Sequence, residues 1–327
     1  MRAIRFDKTG GSDVLKLETI DLPPPAKGEV RLRHTAIGVN FVDTYHRSGL
    51  YPVPLPSGLG KEAAGVVDAL GEGVTAFNVG DRVATASGPL GMYAQASNVA
   101  ARELVKLPAG ISDEVAAAAM LKGLTAWYLL RETYKVQKGE TILVHSAAGG
   151  VGLILCQWGK ALGANVIGTV GSEAKAQLAR DAGAAHVLVL PKNPEDDGWE
   201  KKVREIAGGE GLPVVYDSVG KDTFEASLNC LKPRGLMVSF GNSSGAVPPF
   251  SPGILAAKGS LYLTRPTLFH YIATRPELER AAAELFAVME SGAVKVEVRQ
   301  RYPLADAKAA HDALEGRRTT GATVLLP

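Results

Sequence analysis

The sequence predicts an α/β protein with a β-rich domain and a doubly wound parallel sheet. Three observations across its 327 residues carry that expectation. Residues 1–120 read as short alternating strands broken often by glycine and proline. From about Leu121, short apolar strands alternate with helical runs of about 10–15 residues, the pattern of βαβ units. The stretch "HSAAGGVGLILCQWGKALGA" (145–164) sets small residues between a strand and a helix, where a dinucleotide-binding turn belongs.

Composition narrows the class. Hydrophobic residues at 46% and charged residues at 21% fit an ordinary globular protein with a sizeable core. The length suits two domains, or one inserted into the other. A formal net charge of +2, with no basic run, speaks against nucleic acid. The opening "MRAIRFDKTGG" has no apolar signal core, and no apolar run reaches the roughly 18 residues of a membrane span, so a cytoplasmic protein is expected. Cys156 and Cys230 fall inside apolar helical patterns and read as buried thiols, not as a disulfide.

The elements follow in chain order. "MRAIRFDK" alternates and turns at "GGSD"; "EVRLRHTAIGVN" alternates again. "GVVDALGEGVTAFNVGDRVAT" is a strand, a glycine turn and a strand. "TILVHSA" opens the second region as a buried strand. After it come "GVGLILCQWGKALG" (helix), "NVIGTV" (strand), "SEAKAQLARDAG" (helix), "HVLVL" (strand) and "DGWEKKVREIAGG" (helix). "PVVYDSV", "GLMVSFG" and "GSLYLTRP" supply three more strands, with the helix "KDTFEASLNCLK" after the first. Six strands in this order fit a nucleotide-binding sheet. Beyond Pro266 a helix, an alternating strand, a helix and "ATVLLP" are expected to return to the first domain, leaving a cleft between the two bodies. The boundaries predicted are 1–121 with 266–327, and 122–265.

Each position of the glycine turn has a task. Ala147, Gly149 and Gly152 stand at G-x-G-x-x-G spacing, with alanine in the first place. Residue 147 is expected to make the tight turn, Gly149 to admit a pyrophosphate, and Gly152 to allow close helix–strand packing. Amides of the first helical turn would face the phosphates. The second strand ends in "GTVGSEAKAQ", without the acid that usually bonds a ribose 2′-hydroxyl in NAD sites. Gly171, Ser172 and Lys175 would welcome a 2′-phosphate, which predicts NADPH over NADH. Ser172 also reads as a plain N-cap and Lys175 as a solvated charge. Glu173, the nearest acid, can point outward.

The six histidines form no H-x-x-x-H pair and no C-x-x-C occurs, so no metal site can be assembled from ligand spacing. "NSSGA" (242–246) places serines at the carboxyl edge of the sheet, and reads as a nicotinamide-side loop or as a simple turn. "GVNFVDTYHRSGLYP" (38–52) offers flat aromatic walls for a planar substrate, or aromatic packing within a loop.

Taken together, "NFVDTYHRSGLYP", "LPSGLGKEAAGVV", "GDRV", "LKGLTAWYLLRETY", the glycine turn, "VVYDSVG" and "GLMVSFGNSSGAV" resemble the zeta-crystallin-like NADPH:quinone oxidoreductases, a zinc-free branch of the medium-chain dehydrogenase/reductase superfamily. The resemblance spans essentially the whole chain. It implies a GroES-like domain, a Rossmann domain, a homodimer formed through the Rossmann sheet, and metal-free reduction of quinones. Zinc-dependent relatives carry a ligand cysteine where Asn40 stands and a ligand histidine where Lys61 stands.

By the same resemblance, Asn40, Phe41, Asp43 and Tyr45 lie beside the nicotinamide and Tyr51 over the substrate opening. Thr125 and Tyr128 approach the cofactor from the domain junction, and Gly149, Gly150 and Val151 hold the pyrophosphate. Gly171, Ser172 and Lys175 match the 2′-phosphate pocket. Phe240, Gly241, Asn242 and Ser243 flank the nicotinamide, as do Thr264, Arg265 and Pro266, while Arg317 matches a basic residue near the adenine phosphate. The family's tyrosine after the third strand is missing from "VLVLPKNPEDDGWE", where Lys192 is the substitute.

The chemistry expected is hydride transfer governed by positioning. Asn40 and Tyr45 are the first candidate donors to a developing quinone oxyanion, with Tyr51 positioning the substrate. The rival activities are reduction of an enone or alkenal C=C bond, and non-catalytic NADPH binding.

Overall fold

The computed structural model describes residues 1–190 and 198–327. The expected contact from Lys192 lies outside the described residues. The chain divides into two compact units: 1–124 with 272–290 and 296–327, and 125–271 with 291–295.

The first unit is built on β3 (Glu29–Val39), whose buried and half-exposed residues largely alternate. Val30, Leu32, Ala36 and Ile37 are all fully buried; each large one contributes about 1.5–3 kcal/mol by leaving water. β3 pairs antiparallel with β5 (Ala63–Leu70), β7 (Ala96–Ala100) and β16 (Ala322–Leu326). The sheet extends through β6 (Arg82–Thr85) and β8 (Val105–Lys106) on one side and β15 (Val298–Pro303) on the other. A smaller sheet orders β2 (Lys16–Thr19), β1 (Arg2–Phe6) and β4 (Ser57–Gly58). The last strand therefore rejoins the first sheet, antiparallel to β3.

Two helices in this region depart from the sequence reading. Residues 38–52 contain α1 (Phe41–Ser48), not a loop. Asn40 and Asp43 are the reason: the Asp43 carboxylate accepts the Asn40 N–H at 2.8 Å, the inward half of a capping box. Gly49, at φ 84°, ends the helix. The second helix, α2 (Asp113–Tyr128), begins before the change of texture near Leu121. Its alanine-rich first turns favour helix strongly, and Ser112 Oγ accepts the Val115 N–H at its start. Helices α8 (Arg275–Glu290) and α9 (Ala307–Glu315) belong to the same unit.

The second unit is a parallel sheet in the order β11 (His186–Val189), β10 (Asn165–Val170), β9 (Thr141–Val144), β12 (Leu212–Asp217), β13 (Leu231–Ser239), β14 (Tyr262–Thr264). This is the doubly wound arrangement, with a switch point beside β9. Helices α3 (Gly150–Ala161), α4 (Glu173–Asp181), α5 (Trp199–Ile206), α6 (Phe224–Asn229) and α7 (Gly253–Ala257) connect the strands. Leu143, Ile167, Val215 and Met237 form the buried centre with Trp199 and Leu228. Cys156 and Cys230 are both buried and free.

Candidate active site

The glycine turn follows β9. Its sharp change of direction falls on Ser146, at φ 52°, one residue earlier than the sequence spacing suggested. Ala147 is instead packed inward: its N–H donates to Thr169 O at 2.9 Å. Its methyl is accommodated because residue 168 is glycine; a Cβ there would stand 2.7 Å from the Ala147 Cβ. Gly152 has no freedom to change, since a Cβ would lie 2.2 Å from Ser146 O. Gly149 is the N-cap of α3, and its own N–H is taken by Ser146 O at 2.8 Å. The amides of Gly150, Val151 and Gly152 belong to the first turn, where a helix has no internal acceptors. That turn carries no acid, so its donors and dipole suit an anionic group.

The close of β10 has matching chemistry. A Cβ on Gly171 would meet nothing within 4 Å, so the turn is open above that residue. Ser172 occupies the N-cap position of α4, yet its hydroxyl makes no capping bond. Lys175 lies in the first turn of the same helix. The Glu173 carboxylate pairs outward with Arg180 at 2.9 Å. These donors fit a phosphorylated dinucleotide.

A third group gathers at the ends of β12, β13 and β14. Phe240, Gly241, Asn242 and Ser243 follow β13, and Thr264, Arg265 and Pro266 close β14. Arg265 Nη1 donates to Ser239 O at 2.9 Å and Gly241 O at 3.1 Å. With its amide oriented to satisfy both neighbours, Asn242 donates to Gly241 O and accepts from Arg265. Gly241 is confined: a Cβ would lie 2.4 Å from Ser218 O.

The sequence reading missed the anchor of this group. Asp217 is fully buried and accepts from Val219 N–H at 2.7 Å, Gly220 N–H at 3.0 Å, Thr223 Oγ1 at 2.8 Å and Ser227 Oγ at 3.1 Å. Because Ser227 donates to Asp217, its oxygen accepts from His145 Nε2, at 2.9 Å, and Thr169 Oγ1 donates to His145 Nδ1, at 2.8 Å. Burial lowers the proton affinity of His145 and keeps it neutral at physiological pH. An acid closing an apolar strand, in "VVYDSV", was the available signal. Elsewhere in this unit Tyr128 stacks on Tyr271, with ring centres 4.6 Å apart, and Thr125 is buried one turn earlier on α2.

In the first unit, α1 brings Asn40, Phe41 and Tyr45 together. Tyr45 meets Tyr51 edge-on at 5.3 Å and Phe41 at 6.4 Å. Asn40 Nδ2 donates to Glu62 Oε2 at 2.8 Å. Glu62, wholly buried, also accepts the Leu121 N–H at 2.6 Å and Lys122 Nζ at 3.3 Å. Neither Glu62 nor Lys122 was singled out from sequence.

Asp43 is turned inward. Its Oδ2 accepts from Tyr93 Oη at 2.9 Å as well as from Asn40, while Oδ1 is buried without a hydrogen-bond partner. Burial raises its pKa to about 7, against the stabilising donors. Tyr93 continues to His311 at 3.2 Å, and Arg47 spans His311 and Glu315. The Asp43 carboxylate is thus held by α1 and the core of its own unit. Arg317 follows α9 in a left-handed conformation, its N–H donating to Leu314 O.

Comparison with known proteins agrees with both units. Residues 26–109 match the alcohol dehydrogenase GroES-like domain and residues 150–287 the zinc-binding dehydrogenase family. Among the described residues, no group of three or more His, Cys, Asp or Glu side chains is placed to hold a metal ion. The chain is 55% identical to a quinone oxidoreductase of Pseudomonas aeruginosa, over 100% of this chain and 99% of that protein. It is 56% identical to one of Salmonella typhimurium, over 99% of each. The solved Escherichia coli quinone oxidoreductase, complexed with NADPH, superposes with a TM-score of 0.96 at 54% identity, covering 100% of both chains. From the two domain matches and this full-length identity, the chain belongs to the bacterial quinone oxidoreductases of the medium-chain dehydrogenase/reductase superfamily.

Proposed function

We infer that this protein is an NADPH-dependent quinone oxidoreductase that works without a metal ion. One observation carries the reading: full-length identity of 54–56% to quinone oxidoreductases of three bacteria, joined to a site whose donors fit NADPH.

The bound dinucleotide supplies the hydride. The first turn of α3 holds the pyrophosphate through the amides near Gly149, Gly150 and Val151. Gly171, Ser172 and Lys175 receive the 2′-phosphate. Phe240 to Ser243, braced by Arg265 and Asp217, shape the nicotinamide side together with Thr264 and Pro266, and Thr125 and Tyr128 complete it. Arg317 serves the adenine end.

Reduction leaves negative charge on a quinone oxygen, and a proton must follow. Asn40 commits one amide hydrogen to Glu62 and keeps the other for that oxygen. The Tyr45 hydroxyl is the second donor, and Tyr51 positions the ring. Asp43 supports the site by fixing the start of α1.

In this reading 122–265 bind NADPH and 1–121 with 266–327 form the catalytic domain. The protein works in the cytoplasm as a homodimer paired through β14, the edge strand whose Tyr262 is 61% exposed. No helix among the described residues is long and apolar enough to cross a membrane.

The test is an acceptor screen with NADPH and NADH in parallel. Quinones should be reduced with NADPH strongly preferred. Oxidation of NADPH by alkenals alone, or by no acceptor, would replace this reading with one of its rivals.

A further inference from the structure

The buried side chains of Arg47, His311, Tyr93 and Asp43 form one line of hydrogen bonds that passes from α1 through α9 and back to the start of α1. Arg47 Nη1 meets His311 Nδ1 at 3.0 Å. An arginine can only donate, so Nδ1 is the acceptor and the imidazole proton sits on Nε2. Nε2 therefore donates to Tyr93 Oη at 3.2 Å, and the hydroxyl in turn donates to Asp43 Oδ2 at 2.9 Å. The guanidinium at the head of the line thus fixes the direction of every bond in it. Burial, helped by that same cation, lowers the pKa of His311 to about 3 and keeps the ring neutral, as this direction requires.

Both ends of the line are anchored. Arg47 also donates to the Glu315 carboxylate at 2.7 and 2.9 Å and to Gly10 O at 3.1 Å. The Tyr93 N–H donates to Leu59 O at 2.8 Å, and Tyr93 O accepts the Ile4 N–H at 2.8 Å. Its ring is hemmed in, since a Cβ on Gly60 would fall 2.3 Å from it. At the far end Asp43 Oδ2 also accepts the Asn40 N–H at 2.8 Å. The oxygen that receives the line is therefore the one that sets the backbone of Asn40.

We propose that Tyr93 and His311 are positioning residues for quinone reduction: through Asp43 they hold the first turn of α1 where the Asn40 amide meets the developing oxyanion. The inference rests on the quinone-reductase reading, in which Asn40 is that donor. Tyr93 and His311 are fully buried and out of reach of an acceptor. Their effect is confined to a hydrogen bond that strengthens in the transition state, while the aromatic wall goes on binding the ring.

The experiment measures kcat and KM for 1,4-naphthoquinone at saturating NADPH, with folded enzyme counted by NADPH binding. Tyr93→Phe removes one oxygen and keeps the packed ring; His311→Leu removes the donor behind it. Each should lower kcat about tenfold and leave KM within about twofold. His311→Gln, which can still donate toward Tyr93, should recover most of the loss. In an Asn40→Ala background, Tyr93→Phe should cost nothing further, because the group it positions is gone. A general structural role would lower kcat equally in both backgrounds. Equal losses there, a loss carried by KM, or a native kcat in both Tyr93→Phe and His311→Leu overturns the proposal and leaves quinone reduction standing. A native kcat in Asn40→Ala removes the donor and the proposal with it. Failure of the unaltered enzyme to reduce the quinone overturns the reading beneath as well.

Discussion

Replacing Glu62 by glutamine keeps the side chain's shape and removes its charge. The native carboxylate takes three donors, from Leu121, Asn40 and Lys122, at 2.6, 2.8 and 3.3 Å. Its space is fully committed: a Cβ on Gly38 would lie 2.0 Å from Glu62 Oε2. A glutamine has one acceptor oxygen and an NH2, so at least one donor then faces another donor. The Lys122 side chain, 7% exposed, also loses its counter-charge. Removing one member of a buried ion pair costs about 3–5 kcal/mol. The hydrogen bond that glutamine retains returns about 1 kcal/mol. The net loss of about 2–4 kcal/mol corresponds to roughly 5–15 °C in the Tm of a unit this size. Calorimetry is the assay of choice, because all three tryptophans, Trp127, Trp158 and Trp199, lie in the second unit. The double variant Glu62→Gln with Lys122→Met should recover much of the loss, since no buried charge is stranded. A Tm for Glu62→Gln within about 2 °C of the unaltered protein, or a double variant no better than the single, would refute this account of the cluster.

Other consequences are equally direct. Gly152→Ala should cost more than about 2 kcal/mol, because the clash is with backbone that no rotamer relieves; unaltered thermal stability would contradict the packing. Gly171→Ala, in open space, should leave stability within about 0.5 kcal/mol, whereas Lys175→Ala should weaken NADPH about tenfold by calorimetry and spare NADH. Burial raises the Asp43 carboxyl from its ordinary 3.8 to about 7. Its contribution to stability is complete below about pH 4 and is lost as pH rises through 7. Asp43→Asn should therefore gain on the unaltered protein across that window in denaturant titrations, and parallel curves would exclude the shift. Burial pushes the Cys156 thiol up to about 12 and raises Cys230 further, so neither should react with a thiol reagent until the protein unfolds.

The doubly wound sheet was legible because its signal is local: apolar strands, spaced helices and a small-residue turn all appear within the residues that form them. The helix α1 was hidden because "NFVDTYHRS" has an aromatic composition that suits a wall as well as a helix. The three-residue spacing of Asn40 and Asp43 was the cue for its cap. Glu62, Lys122 and Asp217 escaped for another reason. Each looks like a surface charge in sequence and becomes a buried anchor only through distant partners, Asn40 with Glu62 and His145 with Ser227 and Asp217. Asp43 was read as a neighbour of the ligand, and its hydrogen bonds show it serving Tyr93 and the start of α1.

The Ala147–Gly168 pair has an evolutionary meaning. The methyl at one site is paid for by a missing methyl at the other, so the order in which the two residues change is constrained. Adding a carbon at 168 first would create a collision; trimming 147 first would open the way for it. A lineage drifting between the two forms must pass through the roomier intermediate, with glycine at both places, and a scan of one contiguous motif sees only half of that exchange.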